Sequence, residues 1–210
     1  MSIFDIFRRR TVRDPASLAA FVDEQSLSLS ERAVHDYLRG RAAEKADALF
    51  ADATFRATLD KTRWEARPRS LAMVGEIVQG MLRLHAGSNT REMLHGLTAV
   101  ILELFDRAAP PLAIAATDWQ AAREELVRSL GDLGSHNLRS IEAITDSHAG
   151  YYLAIMPLHA LLPGDDFPVL RNALHAMLAG VKEQFGKRAD LRALAVLLPK
   201  HAPDAPADPR

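Results

Sequence analysis

The chain of 210 residues has no cysteine. Disulfides, thiolate nucleophiles and Cys-ligated zinc or iron–sulfur centres are thereby excluded. It also lacks an excess of charge of either sign: 26 basic residues face 27 acidic ones, for a formal net charge of −1. A body so close to neutral has no overall field to gather nucleic acid, and none is expected as a partner. Long hydrophobic runs are missing as well. "LTAVILELF" and "PPLAIAA" fall far short of the roughly 18 apolar residues that span a bilayer. The first residues do not have the order of a secretory signal, because their arginines follow the apolar residues instead of preceding them. No Gly-x-x-x-x-Gly-Lys-Ser/Thr loop and no Gly-x-Ser-x-Gly elbow occurs. The expectation is a cytoplasmic protein, which its N-terminal segment could hold at the inner face of a membrane.

What is present reads almost throughout at helical period, with no convincing strand alternation. With 48% hydrophobic and 25% charged residues, the composition is that of an ordinary globular chain able to bury a core unaided. Asp14 is placed to cap a first helix with Pro15 at its first position. Ser28 and Glu31 have capping-box spacing and predict a second start, with Val34, Leu38, Ala42, Leu49 and Phe50 along one face. Phe55, Leu59 and Trp64 predict a short amphipathic helix that Pro68 punctuates. From Ser70 to Ala86 the chain is apolar nearly all round, the pattern of a central helix. Gly75 and Gly80 in it suggest close approach of a neighbour. "GSN" is a break, and Thr90 begins a helix to about Ala108. Thr117 or Asp118 caps the next. A further helix is expected from about Asn137 to Leu162, with Pro157 inside it, followed by two more at about 168–185 and 190–198. The fold class is therefore all-α: one multi-helix, bundle-like domain of about eight helices over residues 14–198, preceded by an arm (1–13) and followed by a Pro-rich tail (199–210) expected to be disordered.

Three groups of residues are candidates for function. The first is the set of Leu-His-small tripeptides that carry His85, His95, His159 and His175. Helical metal sites set ligands three or four residues apart on one face, and no such His pair exists here. Across straight hairpins the levels of His85 and His95 differ by about 6 Å, and those of His159 and His175 by about 9 Å. Shared metals are disfavoured, while a haem needing one or two axial histidines survives the objection. Glu92 and His95 form one Glu-x-x-His, but the second that a di-iron bundle needs is missing. No cofactor is expected in the main reading; haem belongs to the alternative.

The second group is polar. Glu76 and Gln79 interrupt the central helix, and Tyr151 and Tyr152 flank Gly150. They could line a ligand pocket, or form a buried network with Arg83 or a tyrosine. Nearby, "GDLGSHNLRS" could hold an anion with Arg139 or simply turn between helices. Asp146, Ser147 and His148 are adjacent and so point in different directions.

The third group is the arm, "MSIFDIFRRRTVR". Ile3, Phe4, Ile6 and Phe7 supply apolar bulk, and Arg8, Arg9, Arg10 and Arg13 supply charge. Such a segment suits an anionic membrane surface or a groove on a protein partner. Deleting residues 1–13 is expected to leave the fold intact. The reading that results is a non-enzymatic binding or adaptor protein tethered by its arm. The alternative is a helical protein that binds haem or a small ligand in a sensory or redox role. Apolar positions spread over many helices would also serve a homodimer.

Overall fold

The computed structural model describes residues 11–110, 113–132, 137–157 and 166–201. Among them there is no strand. The helices are α1 (Pro15–Ala42), α2 (Ala46–Ala51), α3 (Ala53–Ala86), α4 (Thr90–Asp106), α5 (Ala116–Gly131), α6 (Ile141–Ile155), α7 (Phe167–Arg188) and α8 (Leu191–Leu197). Six have 15 residues or more, and α2 and α8 are short. Short 3₁₀ turns (Ala43–Lys45, Gly87–Asn89 and Leu198–His201) join or end them. The fold is the single all-α domain expected from the period.

Several boundaries differ, each for a local reason. The capping box sits at Asp14 and Ser17: the Asp14 carboxylate accepts from the Ser17 N–H at 2.8 Å, and Ser17 Oγ accepts from the Asp14 N–H at 3.1 Å. Ser28 and Glu31 lie inside α1, which runs through as one helix because Leu18, Phe21, Val22, Leu29, Val34 and Leu38 all face the core. It stops at Ala43, whose φ of 44° is a conformation that costs a non-glycine residue on the order of 1 kcal/mol. Pro68 does not end a helix either, since α3 continues through it for 34 residues. The lost hydrogen bond is outweighed by burial, as Ala66 and Leu71 on either side of Pro68 are fully buried. α5 starts at Ala116, ahead of Thr117 and Asp118. α6 is shorter than expected, capped by Ser140 and ended at Ile155, two residues before Pro157. The rest of that expected helix, at 158–162, lies outside the described residues.

α3 is the axis of the molecule and touches every other α-helix. Every residue from Ser70 to Gln79 is buried. Around them pack Leu97, Ile101 and Phe105 of α4, Leu126 and Leu130 of α5, Ile144 and Tyr152 of α6, and Leu170, Leu174 and Leu178 of α7. A Cβ on Gly75 would lie 2.6 Å from Ile101 Cδ1, so the expected close approach occurs there; Gly80 meets only an ordinary contact, Leu138 at 3.9 Å. α1 crosses one side of this core, with Phe21 against Phe185 of α7 at 5.1 Å between ring centroids.

Candidate functional site

The arm's inner end is built into the domain. Val12 is 1% exposed and forms an isolated parallel bridge with Ala189. Its N–H donates to the Arg188 carbonyl at 2.9 Å, and its carbonyl accepts from the Asp190 N–H at 2.8 Å. Beside it is a recess of about 540 Å³ between the ends of α3, α7 and α8, lined by Thr11, His85, Lys187, Arg188 and Arg192 among others. The acids nearby are already engaged. Asp14 and Asp190 cap helices, Glu183 pairs with Lys187, and Glu24 pairs with Arg188. Arg13, His85 and Arg192 enter no salt bridge among the described residues. Arg13 and Arg192 are balanced in charge by the two capping carboxylates, Asp14 and Asp190. Arg13 is exposed there; Ile3, Phe4, Phe7, Arg8, Arg9 and Arg10 lie outside the described residues.

A second recess, about 760 Å³ in volume, runs between α1 and α7. The two helices are antiparallel: Gln25 donates to Gln184 at 3.4 Å near one end, and Arg41 pairs with Asp166 at 3.1 Å at the other. Small residues leave the groove open. Ala33 and Gly40 of α1 and Ala173, Ala176 and Gly180 of α7 line it, and a Cβ at Gly40 or Gly180 would meet nothing within 4 Å. Leu29, Met177, Val181 and the exposed Val169 make its lining apolar; Glu24, Arg32 and Asp36 charge its rim. The far end is sealed by Asp166, which is buried, with Arg41 and Tyr37. Burial, and then the hydrogen bond to Asp166, pushes the Tyr37 hydroxyl up to about 12. Volumes of several hundred Å³ with apolar walls and a few polar groups are typical of binding clefts.

The polar pair of the central helix has a partner the sequence reading missed. Arg139, in the segment before α6, grips the Glu76 carboxylate with Nε at 2.7 Å and Nη2 at 3.0 Å, and donates to Ser147 Oγ at 3.0 Å. Arg139 is thus engaged by a carboxylate of the chain itself. The arginine's position just ahead of α6 was the only available signal, since Glu76 needed a cation from some other element. Gln79 is 1% exposed and neither amide atom has a partner among the described residues, which costs about 1–3 kcal/mol. Tyr152 is fully buried and shares a 2.5 Å hydrogen bond with Ser70, while the Tyr151 hydroxyl donates to the Glu65 carbonyl at 3.0 Å. The four residues thus belong to one helix pair, α3 and α6, with Glu76 and the two tyrosines each engaged separately.

The histidines are dispersed. His85 ends α3 on the surface, and His95 is exposed on α4. His175, on α7, lies 3.0 Å from Glu142 of α6. His159 lies outside the described residues. Among the described residues no three His, Asp or Glu side chains form a group that could hold a metal. Asp146, Ser147 and His148 diverge as adjacency requires: Asp146 pairs with Arg171, Ser147 with Arg139, and His148 turns inward. No helix of the described residues is long and apolar enough to cross a membrane.

The chain matches no protein-family model, no curated protein and no solved structure. What it does must therefore be argued from its own surfaces, among them the recess at the arm's root and the α1–α7 groove.

Proposed function

We propose that the protein is a non-enzymatic helical binding module held at an anionic membrane surface, on the cytoplasmic side, by residues 1–13. One observation carries the reading: the arm springs from a fixed root, Val12, which is buried and tied by two backbone hydrogen bonds to the end of α7. Thr11 shares its recess with Lys187, Arg188 and Arg192, and Arg13 is exposed next to it in the chain. A segment with Ile3, Phe4, Ile6 and Phe7 beyond Arg8–Arg10 would set its side chains into the interface and its arginines among the headgroups. Seated at Val12, the arm sets which end of the domain faces the lipid.

The test is co-sedimentation with phosphatidylserine-containing vesicles. Each arginine near such a surface is worth about 1 kcal/mol. Replacing Arg8, Arg9 and Arg10 with alanine should therefore weaken binding on the order of 10²-fold. A chain that starts at Thr11 should lose binding, and added salt should weaken that of the full chain. Equal sedimentation of the full and shortened chains would sink the reading.

A further inference from the structure

The groove and the arm are neighbours. The Val12–Ala189 bridge is parallel, so the chain ahead of Val12 heads the same way as the residues ahead of Ala189, back along α7. The groove lies on that path. Gly180, Gln184 and Lys187 share one stripe of α7 at helical spacing; the first two line the groove, and Lys187 lines the recess that holds Thr11. The mouth of the groove, at Glu24 and Gln184, is about one turn of α7 from the bridge.

Length and order of residues agree with this path. Ten extended residues reach roughly 33 Å, and α7 from Arg188 back to Val169 spans roughly 28 Å. Aligning Val12 with Ala189 at about 3.3 Å per extended residue and 1.5 Å per helical residue puts Phe7 near the level of Met177 and Phe4 between Ala173 and Val169. The same count puts Arg8–Arg10 at about the levels of residues 180–185, beside the exposed carboxylate of Glu24 at the mouth of the groove. Apolar residues of the arm fall over the apolar lining, and its cations fall at the acidic mouth.

We infer that the α1–α7 groove is a docking site for the chain's own first ten residues. This rests on reading residues 1–10 as an arm that engages a surface, and it gives that arm a second seat. In the docked state Phe4 and Phe7 cover Met177, Ala173 and Val169, and the groove is closed to other occupants. On an anionic surface the same side chains are withdrawn and the groove opens. The module is then empty-handed in solution and binding-competent at the membrane.

The cysteine-free chain allows a direct test by disulfide formation in the otherwise full-length protein. Asp5→Cys leaves every apolar residue of the arm in place, and its level matches that of Ala173. We would pair it with Ala173→Cys in the groove and, separately, with Lys182→Cys, exposed half a turn around α7 and nearer the root. An undocked arm favours the nearer site, because effective concentration falls with the length of the connection; docking reverses the order, with the Ala173 pair closing at least about tenfold faster as a monomer. Vesicles that bind the chain should slow that closure. Gly180→Phe, which fills the groove where a side chain has open space, should slow it too. Equal or faster closure at Lys182, slow closure at both, or a product that is a cross-linked dimer overturns the inference. Vesicle binding is scored separately. Fast closure at Ala173 without vesicle binding removes the membrane reading and leaves the docking; arm-dependent vesicle binding without that closure does the reverse.

Discussion

At the scale of single residues, His148 is a buried group that titrates within an accessible pH range. It is 7% exposed, its Nδ1 has no partner among the described residues, and Arg69 of α3 and Arg139 both bear on it, opposed by Glu125 of α5. Burial first, then the two arginines, pushes it down to about 4. Its folded pKa lies below the unfolded value, so between pH 6.5 and 4 the unfolded chain holds the extra proton. Its contribution is fully present above that window and is lost as pH falls through it. From pH 7 to pH 5 it should remove about 2 kcal/mol of stability. Urea unfolding at the two pH values checks this: His148→Leu should flatten the difference by about that amount, and an unchanged difference would assign the effect elsewhere. That a histidine stood beside Asp146 and Ser147 was plain in the sequence; that it alone turned inward was not, because adjacency on a helix says only that the three diverge. The repeated Leu-His-small tripeptides teach a related lesson. Among those described, the histidines lie at or near the surface, and at Gly96 it is the small residue that matters.

Gly96 belongs to the scale of elements, because it decides how two of them meet. A Cβ there would lie 1.9 Å from the Leu198 carbonyl oxygen and 2.6 Å from its carbon. The 3₁₀ turn Leu198–His201 therefore rests on the bare backbone of α4, with His201 Nε2 3.3 Å from Glu103. No rotamer relieves a clash with backbone, so Gly96→Ala should cost about 1–3 kcal/mol and lower the midpoint of thermal unfolding by roughly 3–10 °C. Gly40→Ala, at an exposed helical position with open space, is the control and should be neutral or up to about 1 kcal/mol stabilising. Equal shifts would mean that the turn does not seat on α4. Helix existence was legible here, and helix ends were less so. The capping-box spacing at Ser28 and the stop at Pro68 are local preferences worth about 1–3 kcal/mol, and burial of α1 and α3 on both sides of those points outweighs them.

Over the whole molecule, the fold class followed from period and composition alone, whereas the groove did not. Ala33, Gly40, Ala173, Ala176 and Gly180 are unremarked in one dimension and become a channel only when α1 and α7 lie side by side. The arm was legible as chemistry, but its hinge point was not. Val12 is a core residue, so the cut that spares the fold falls before Thr11 and not after Arg13. Starting the chain at Thr11 should lower the denaturant midpoint only by what docking of the arm contributes, on the order of 1 kcal/mol. Starting it at Asp14 removes a buried valine and the two hydrogen bonds that tie it to Arg188 and Asp190, and should cost about 3 kcal/mol or more. If both truncations unfold alike, Val12 is not the latch. Optical spectroscopy of such variants has a fixed vantage point. The chain holds two tryptophans, Trp64 of α3 and Trp119 of α5, and they meet edge to face at 5.7 Å, with Phe105 of α4 stacked on Trp119 at 4.2 Å. Tryptophan emission therefore reports one address, where three helices join, and indole rings so close will split each other's near-ultraviolet dichroism; the arm and its groove hold no tryptophan, and events there have to be watched with a colour that is added.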